Sequence, residues 1–236
     1  MRVSVNILNW NCGPILKETI KLVKQEADEV IVVDNGSTDG TQDLATIRFP
    51  ENRGVSIGKN AGIDASNGDY ILLLDGDILY IPKTIKCMVD WLEKNPTEQA
   101  IGFYPNKFAR EKNKAESYCW NLSEPKIHTT VCLFYGMFRR SVFDKCRCSV
   151  DGPFAGPGYA WEDTDFYYQM KEAGIKQWVA GINTTIGRYY HEINSSIRQM
   201  GNEAYIKTSK ERHEYFKEKW TKRQLQDNLL LTVSAS

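Results

Sequence analysis

Tyr70-Ile71-Leu72-Leu73-Leu74-Asp75-Gly76-Asp77-Ile78-Leu79-Tyr80 opens with an uninterrupted apolar run and ends in two carboxylates separated by one glycine. A run of this length with no polar interruption reads as a strand buried on both faces. Ligands in open α/β sheets gather at the carboxyl ends of strands, and a glycine lets another group approach the backbone closely. Two acids so near each other repel unless a cation or hydrogen-bond donors lie between them, and hard cations such as Mg²⁺ and Mn²⁺ prefer oxygen ligands. Asp75 and Asp77 therefore read as the floor of a site for a metal and a phosphorylated ligand. The alternative is a solvated acid pair at a strand-to-turn junction, since Asp-Gly is also a turn signal.

The flanking sequence repeats the pattern. Val3 to Leu8 reads as a first buried strand, with Asn9 to Gly13 as the loop at its carboxyl end. Pro14 suits a helix start, and Leu16, Ile20 and Val23 fall on one helical face. The β-branched run Glu29 to Val33 is a second strand, again ending in an acid within Asp34-Asn35-Gly36-Ser37-Thr38-Asp39-Gly40-Thr41. A short strand at Arg48 to Pro50 and a helix over Val55 to Ala65, carrying Lys59 and Asn60, precede the Leu72 strand. A helix from Pro82 shows Ile85, Met88, Val89 and Leu92 on one face and stops at Asn95-Pro96, and Ala100 to Tyr104 is a further strand. Alternating strands and helices predict a mostly parallel sheet with helices on both faces. Parallel strands share one carboxyl edge, so Asp34 and Asp75 should face one crevice.

After residue 105 the alternation ends. Lys107 to Lys114 reads as a charged loop. Tyr118 to Leu122 and Thr129 to Phe134 read as strands, the second leading into Tyr135-Gly136-Met137-Phe138. Ser141 to Cys146 reads as a helical turn, and Asp151 to Gly158 as an irregular Gly/Pro-rich loop. That loop delivers Trp161-Glu162-Asp163-Thr164-Asp165, the first turn of a helix that ends at Gly174. Acids there complement the helix dipole; they could equally supply a fixed general base beside an aromatic wall. Lys176 to Ala180 is a strand, and His191 follows. The tail from Asn202 to about Asn228 reads as a charged helix docking through Tyr215, Phe216 and Trp220.

With 236 residues, 42% hydrophobic and 25% charged, the chain has the composition of a globular protein with one main core. Lys+Arg and Asp+Glu balance at 30 each, which argues against a global field attracting nucleic acid. The six scattered cysteines lack zinc-knuckle spacing and are expected as reduced thiols. No signal peptide or bilayer-spanning run is apparent. The expected location is cytoplasmic, compatible with peripheral contact with a membrane.

These ordered pieces resemble the family 2 glycosyltransferases of the GT-A fold. The resemblance rests on Val5 to Asn11, Ile31 to Thr41, Asn52-Arg53-Gly54 with Lys59-Asn60-Ala61-Gly62, Asp75-Gly76-Asp77 and Glu162-Asp163-Thr164-Asp165-Phe166, with support from His191 and Tyr215 to Trp220. It implies a Rossmann-like, mostly parallel α/β sheet, a smaller mixed acceptor-side lobe and a C-terminal helical tail. Residues 1–105 would bind the nucleotide sugar, 106–200 the acceptor, and 201–236 would form the tail. It also implies an inverting, nucleotide-sugar-dependent transferase using Mn²⁺ or Mg²⁺, a donor for which UDP-sugars are favoured, and a saccharide or other hydroxyl acceptor.

The resemblance assigns roles as well. Asp34, with Leu8, Asn9 and Asn35, would receive the nucleobase, and Lys59 and Asn60 would line the nucleotide pocket. Asp75 and Gly76 would meet the ribose or sugar side, and Asp77 and His191 would hold the metal. Asp163 would be the catalytic base, beside Glu162 and Trp161. Relatives often carry a third acid where this chain has Gly76. A haloacid-dehalogenase-like phosphatase also ends an apolar strand in Asp-x-Asp, but on its first strand; an inactive sugar-nucleotide binder would not need Asp77, Asp163 and His191 together.

Overall fold

Among the described residues, the apolar runs become the centre of an eight-stranded sheet in the order β3-β2-β1-β4-β7-β5-β8-β6. The structure, a computed structural model, describes residues 1–78, 80, 82–103, 126–127, 133–158, 160–180 and 201–233. Its strands are β1 (Val3–Asn9), β2 (Glu29–Asn35), β3 (Ile47–Phe49), β4 (Tyr70–Asp75), β5 (Ala100–Phe103), β6 (Lys126–Ile127), β7 (Tyr135–Arg139) and β8 (Gln177–Ala180). Its helices are α1 (Pro14–Val23), α2 (Val55–Ala65), α3 (Thr84–Lys94), α4 (Glu162–Glu172) and α5 (Asn202–Val233). The pairs β1–β2, β1–β4, β2–β3 and β5–β8 are parallel. β7 runs against both β4 and β5, and β6 runs against β8. All other strands share one direction, which gives the mixed, mostly parallel α/β sheet expected of the GT-A class.

Side-chain alternation along β4 divides the core. Leu72 and Leu74 join Val3, Val5 and Ile7 on the face covered by Leu16 and Val23 of α1 and by Ile85, Met88 and Leu92 of α3. Ile71 and Leu73 point the other way, toward Ile63 of α2 and Phe166 and Met170 of α4. Both faces of β4 pack against apolar side chains, which is why Tyr70 to Leu74 reads as an unbroken run.

Several boundaries differ from the sequence expectation, among them β3, expected at Arg48–Pro50 and found at Ile47–Phe49. The helix expected at Pro82 begins at Thr84, because Lys83 adopts a left-handed conformation with φ 72° and the Tyr80 hydroxyl accepts the Ile85 N–H at 3.0 Å, capping the first turn. Of the strand expected over Thr129 to Phe134, only Leu133 and Phe134 are described, and the described strand here is Tyr135–Arg139. Leu133 and Phe134 form a turn whose Phe134 carbonyl accepts the Asp75 N–H at 3.0 Å, and the ladder starts at the Leu74–Tyr135 pair. The Gly/Pro-rich loop contains one 3₁₀ turn, Gly152–Ala155. The Lys107–Lys114 loop, the Tyr118–Leu122 strand, residues 129–132 and the segment with His191 lie outside the described residues.

Helix α2 sits directly on β1. A Cβ built on Gly62 would lie 2.1 Å from the Asn6 side chain, whose Nδ2 donates to the Lys59 carbonyl at 3.0 Å. Gly62→Ala is therefore expected to destabilise the fold by about 1–3 kcal/mol, read as a lower urea midpoint with little change in slope.

Candidate active site

The parallel register sets Leu8 opposite Asp75 and Asn9 opposite Asp34, so the carboxyl ends of β1, β2 and β4 form one rim. Past that rim the Gly76 N–H donates to the Leu8 carbonyl at 2.8 Å. A Cβ at Gly76 would lie 2.9 Å from that oxygen and 3.0 Å from the Cys12 sulfur. The middle of the triplet thus has no room for the extra acid that relatives often carry. Thr19 of α1 holds the chain beyond it, donating to the Ile78 carbonyl at 2.7 Å and accepting the Tyr80 N–H at 3.2 Å. Asp77 sits half-exposed in this turn, and its charge, after burial itself, contributes to pushing up the pKa of the buried Cys12 thiol.

Asp34 is wholly buried and organises the loops after β1 and β2. It accepts Asn9 Nδ2 at 2.8 Å and the Ser37 N–H at 3.1 Å. The Asn9 amide also reaches Ser37 Oγ and Thr41 Oγ1. Asn35, likewise buried, accepts the Arg53 N–H at 2.9 Å and donates to Asn52 Oδ1 and the Gly54 carbonyl, so it fastens residues 52–54 to the rim. A Cβ at Gly54 would fall 2.2 Å from the Gly156 carbonyl, which shows how closely the Gly/Pro-rich loop comes to this edge. Asn60 spends its amide on the Cys148 backbone, donating at 2.7 Å and accepting at 3.2 Å.

Lys59 is buried at 3% exposure, and its Nζ lies 2.6 Å from Asp75 Oδ1 and 3.0 Å from the Leu133 carbonyl. Burial opposes its charge, but the Asp75 carboxylate outweighs that penalty and the pKa rises above the ordinary lysine value. The Asp163 charge adds to the same effect. The structure therefore brings Lys59, Asp75 and the start of α4 within electrostatic reach of one another.

The three acids in the first turn of α4 separate into different environments. Asp165 is fully buried and accepts Ser149 Oγ at 2.5 Å, Gln169 Nε2 at 2.9 Å and Trp220 Nε1 at 2.9 Å, with Lys219 Nζ at 3.0 Å. Glu162 pairs with the buried Arg212 guanidinium at 3.2 Å. The half-buried Asp163 carboxylate has no hydrogen bond or ion pair among the described residues. Burial, then the neighbouring Glu162 charge, push its pKa well above the usual aspartate value; Lys59 pulls the other way and Asp75 pushes again. Burial also raises Glu162, against the pull of Arg212.

Ala160 and Trp161, which lead into α4, both have positive φ, 93° and 71°. Such conformations cost about 1–3 kcal/mol each for non-glycine residues and persist only where the surroundings enforce them. Trp161 is enforced by the His213 ring, stacked at 4.1 Å with planes 10° apart, and by Phe216. Arg212 and His213 were not apparent as site residues in the sequence. The available signal was that Arg212 shares a helix face, at four-residue intervals, with the docking residues Phe216 and Trp220.

Among the described residues no group of three or more His, Cys, Asp or Glu side chains could hold a metal ion, and His191 lies outside them. What the turn offers is an oxygen-only pair, Asp75 and Asp77, with Asp75 36% exposed and Asp77 half-exposed. That donor chemistry fits Mg²⁺ or Mn²⁺.

A family model described as "Glycosyl transferase family 2" matches residues 4–147. The chain belongs to glycosyl transferase family 2. Among curated relatives of this family 2 chain, dodecaprenyl-phosphate galacturonate synthase of Rhizobium johnstonii is 31% identical over 140 residues, covering 50% of this chain and 40% of that protein. An uncharacterized glycosyltransferase of Haemophilus influenzae is 25% identical over 234 residues, covering 85% and 72%. The match spans 56% of a Mycoplasma pneumoniae relative at 29% identity, so the chain corresponds to about half the length of several relatives. Staphylococcus aureus TarS 1-349 superposes with a TM-score of 0.59 at 16% identity, covering 79% of this chain and 60% of that one. The mannosyltransferase PcManGT of Pyrobaculum calidifontis, solved with GDP-Man and Mn²⁺, gives 0.53 at 21% identity, covering 76% and 56%. Both share the fold of this chain. No described helix is long and apolar enough to cross a membrane.

The electrostatics of Asp163 have a consequence for stability. A carboxyl whose pKa rises on folding binds its proton more tightly in the folded chain, so its ionised form opposes folding above that pKa. Asp163→Asn is expected to raise Tm at pH 7.5, with the gain shrinking as pH falls through the raised pKa. Thermal melts across pH 4.5–8 check this.

Proposed function

We propose that this chain transfers a sugar from a nucleotide-diphosphate donor, with UDP-sugars favoured, to an acceptor hydroxyl by a single displacement that inverts the anomeric carbon. The observation that carries this reading is the separation of the α4 acids: Asp165 and Glu162 are engaged, whereas Asp163 has no hydrogen-bond or ion-pair partner among the described residues and lies within reach of the Lys59–Asp75 pair. An acceptor hydroxyl is a poor nucleophile and needs a base within hydrogen-bond reach. Asp163 is suited to this task, because burial and Glu162 make it a stronger base than a solvated aspartate.

The donor is assigned to the rim formed by residues 8–9, 34–35, 59–60 and 75–77, and the acceptor to the side of Trp161 within residues 106–200. Lys59 fixes the Asp75 carboxylate through Oδ1. Asp34 and Asn35 act mainly by shaping the loops against which the nucleobase would rest. Asp77, with His191, would hold Mn²⁺ or Mg²⁺, which when bound supplies neutralisation of the charge growing on the diphosphate leaving group. The acceptor hydroxyl gives its proton to an Asp163 carboxylate oxygen as its own oxygen bonds to the anomeric carbon and the sugar–phosphate bond breaks. One base opposite the leaving group corresponds to inversion. The neighbouring solved proteins differ in nucleotide, GDP-Man for PcManGT and UDP-GlcNAc for TarS, so the donor is assigned by a thermal-shift screen of nucleotide diphosphates with Mn²⁺.

Asp163→Asn is expected to keep UDP binding and lose about 10²- to 10⁴-fold in turnover; near-normal turnover would remove Asp163 from the role. Asp77→Ala should weaken UDP binding in Mn²⁺ while leaving metal-free binding unchanged, measured by calorimetry. The acid limb of the kcat/KM profile should lie above the ordinary aspartate range of about 3.9, because the base works only when ionised. Glu162→Gln removes a negative neighbour and should move that limb to lower pH.

A further inference from the structure

The side chains that restrain the strained approach to Asp163 come from α5, a helix that begins 39 residues later in the chain. Arg212, at 1% exposure, aims its guanidinium into the Gly/Pro-rich segment. Its Nε donates to the Pro153 carbonyl at 3.2 Å, one terminal nitrogen to the Gly156 carbonyl at 3.1 Å, and the other to the Ala160 carbonyl at 3.4 Å and Glu162 Oε2 at 3.2 Å. The contacts bracket the two positive-φ residues, with Ala160 held through its carbonyl and Glu162 through its carboxylate. The next residue, His213, stacks on Trp161 between them. Phe154 lies under the Arg212 cation at 5.4 Å, which closes the pocket around the guanidinium.

A packing role alone would be met by an apolar side chain, because a buried charge with its hydrogen bonds is a poor source of net stability compared with a hydrophobic residue of similar size. A planar fork that reaches several acceptors at once instead fixes direction. Resting on the base reading of Asp163 above, we propose that Arg212 is a positioning residue: it holds the Ala160–Trp161 turn in its left-handed form and so aims the Asp163 carboxylate at the acceptor, with the His213 stack as a second grip on the same turn. Arg212 touches neither donor nor acceptor in this role. It acts through Asp163, and α5 is thereby part of the catalytic apparatus.

The test is a double-mutant cycle on the full chain, with nucleoside diphosphate release in Mn²⁺ read from UDP-glucose, UDP-galactose, UDP-GlcNAc and GDP-mannose. Arg212→Lys keeps the charge and loses the fork. It should lower kcat by about 10²-fold, the penalty typical of a small misplacement of a reacting group, while UDP–Mn²⁺ affinity stays within about twofold. In the Asp163→Asn background the same substitution should change the residual rate by less than about twofold, because there is no longer a base to aim. Hydrogen exchange in a peptide spanning residues 156–166 should quicken in Arg212→Lys. If that variant fails to fold, His213→Ala, which leaves the buried guanidinium in place, carries the same expectation with a smaller drop in kcat. Normal kcat in Arg212→Lys, or losses that multiply in the double variant, would overturn the proposal. Normal turnover in Asp163→Asn would overturn the base reading first and this inference with it. An inactive Asp163→Asn beside a fully active Arg212→Lys would overturn the inference alone.

Discussion

Parallel pairing of β1 with both β2 and β4 is the constraint on which the rest of the molecule depends. The register that puts Leu8 beside Asp75 and Asn9 beside Asp34 decides which acids share a rim. A slip of one residue would turn Leu72 and Leu74 from the α1–α3 side to the α4 side and carry Asp75 off the rim. Because both faces of β4 are apolar, what resists that slip is the close packing of each side chain against its own neighbours together with the Lys59–Asp75 pair. The buried Lys59–Asp75 pair extends the same constraint outward. Lys59 comes from α2, and its Nζ also meets the Leu133 carbonyl just before β7. One ammonium thus ties together the acid rim, a helix on one face and the turn leading into β7, the strand between β4 and β5.

The parts of this arrangement that were readable in the sequence are those encoded locally. Apolar runs gave β2 and β4, the Val3 to Leu8 stretch gave β1, and α2 lies at the expected Val55–Ala65, directly after Gly54. Helix periodicity gave the apolar stripe of α3. The start of β7 was misplaced because Leu133 and Phe134 are as apolar as the strand they precede; the hydrogen bond from Asp75 to Phe134 marks the boundary, and periodicity carries no trace of it. The position of β7 between β4 and β5 is likewise invisible locally, since its partners lie far away in sequence.

The candidate site divides in the same way. That acids cluster at the start of α4 is plain in the sequence. Which of them is engaged is not, because the partners that occupy Asp165 and Glu162 are Trp220, Lys219 and Arg212 on α5. Asparagines at the rim show the converse. Asn35 and Asn60 occupy positions that suggest ligand contact, yet their amides serve the backbone of Arg53, Gly54 and Cys148, and any influence on a bound nucleotide passes through the loops they hold.

The insertion of β7 between β4 and β5 also bears on how the chain is made. A ribosome adds about 5–20 residues per second, so β5 leaves the exit tunnel seconds before the strand that must separate it from β4. During that interval the free edge of β4, rich in leucine, exposes unpaired backbone groups and can recruit the wrong neighbour. Long-range strand pairing of this kind slows folding because loop closure precedes the contacts that reward it. The nascent first hundred residues therefore carry an open β4 edge until residues 135–139 emerge to pair with it.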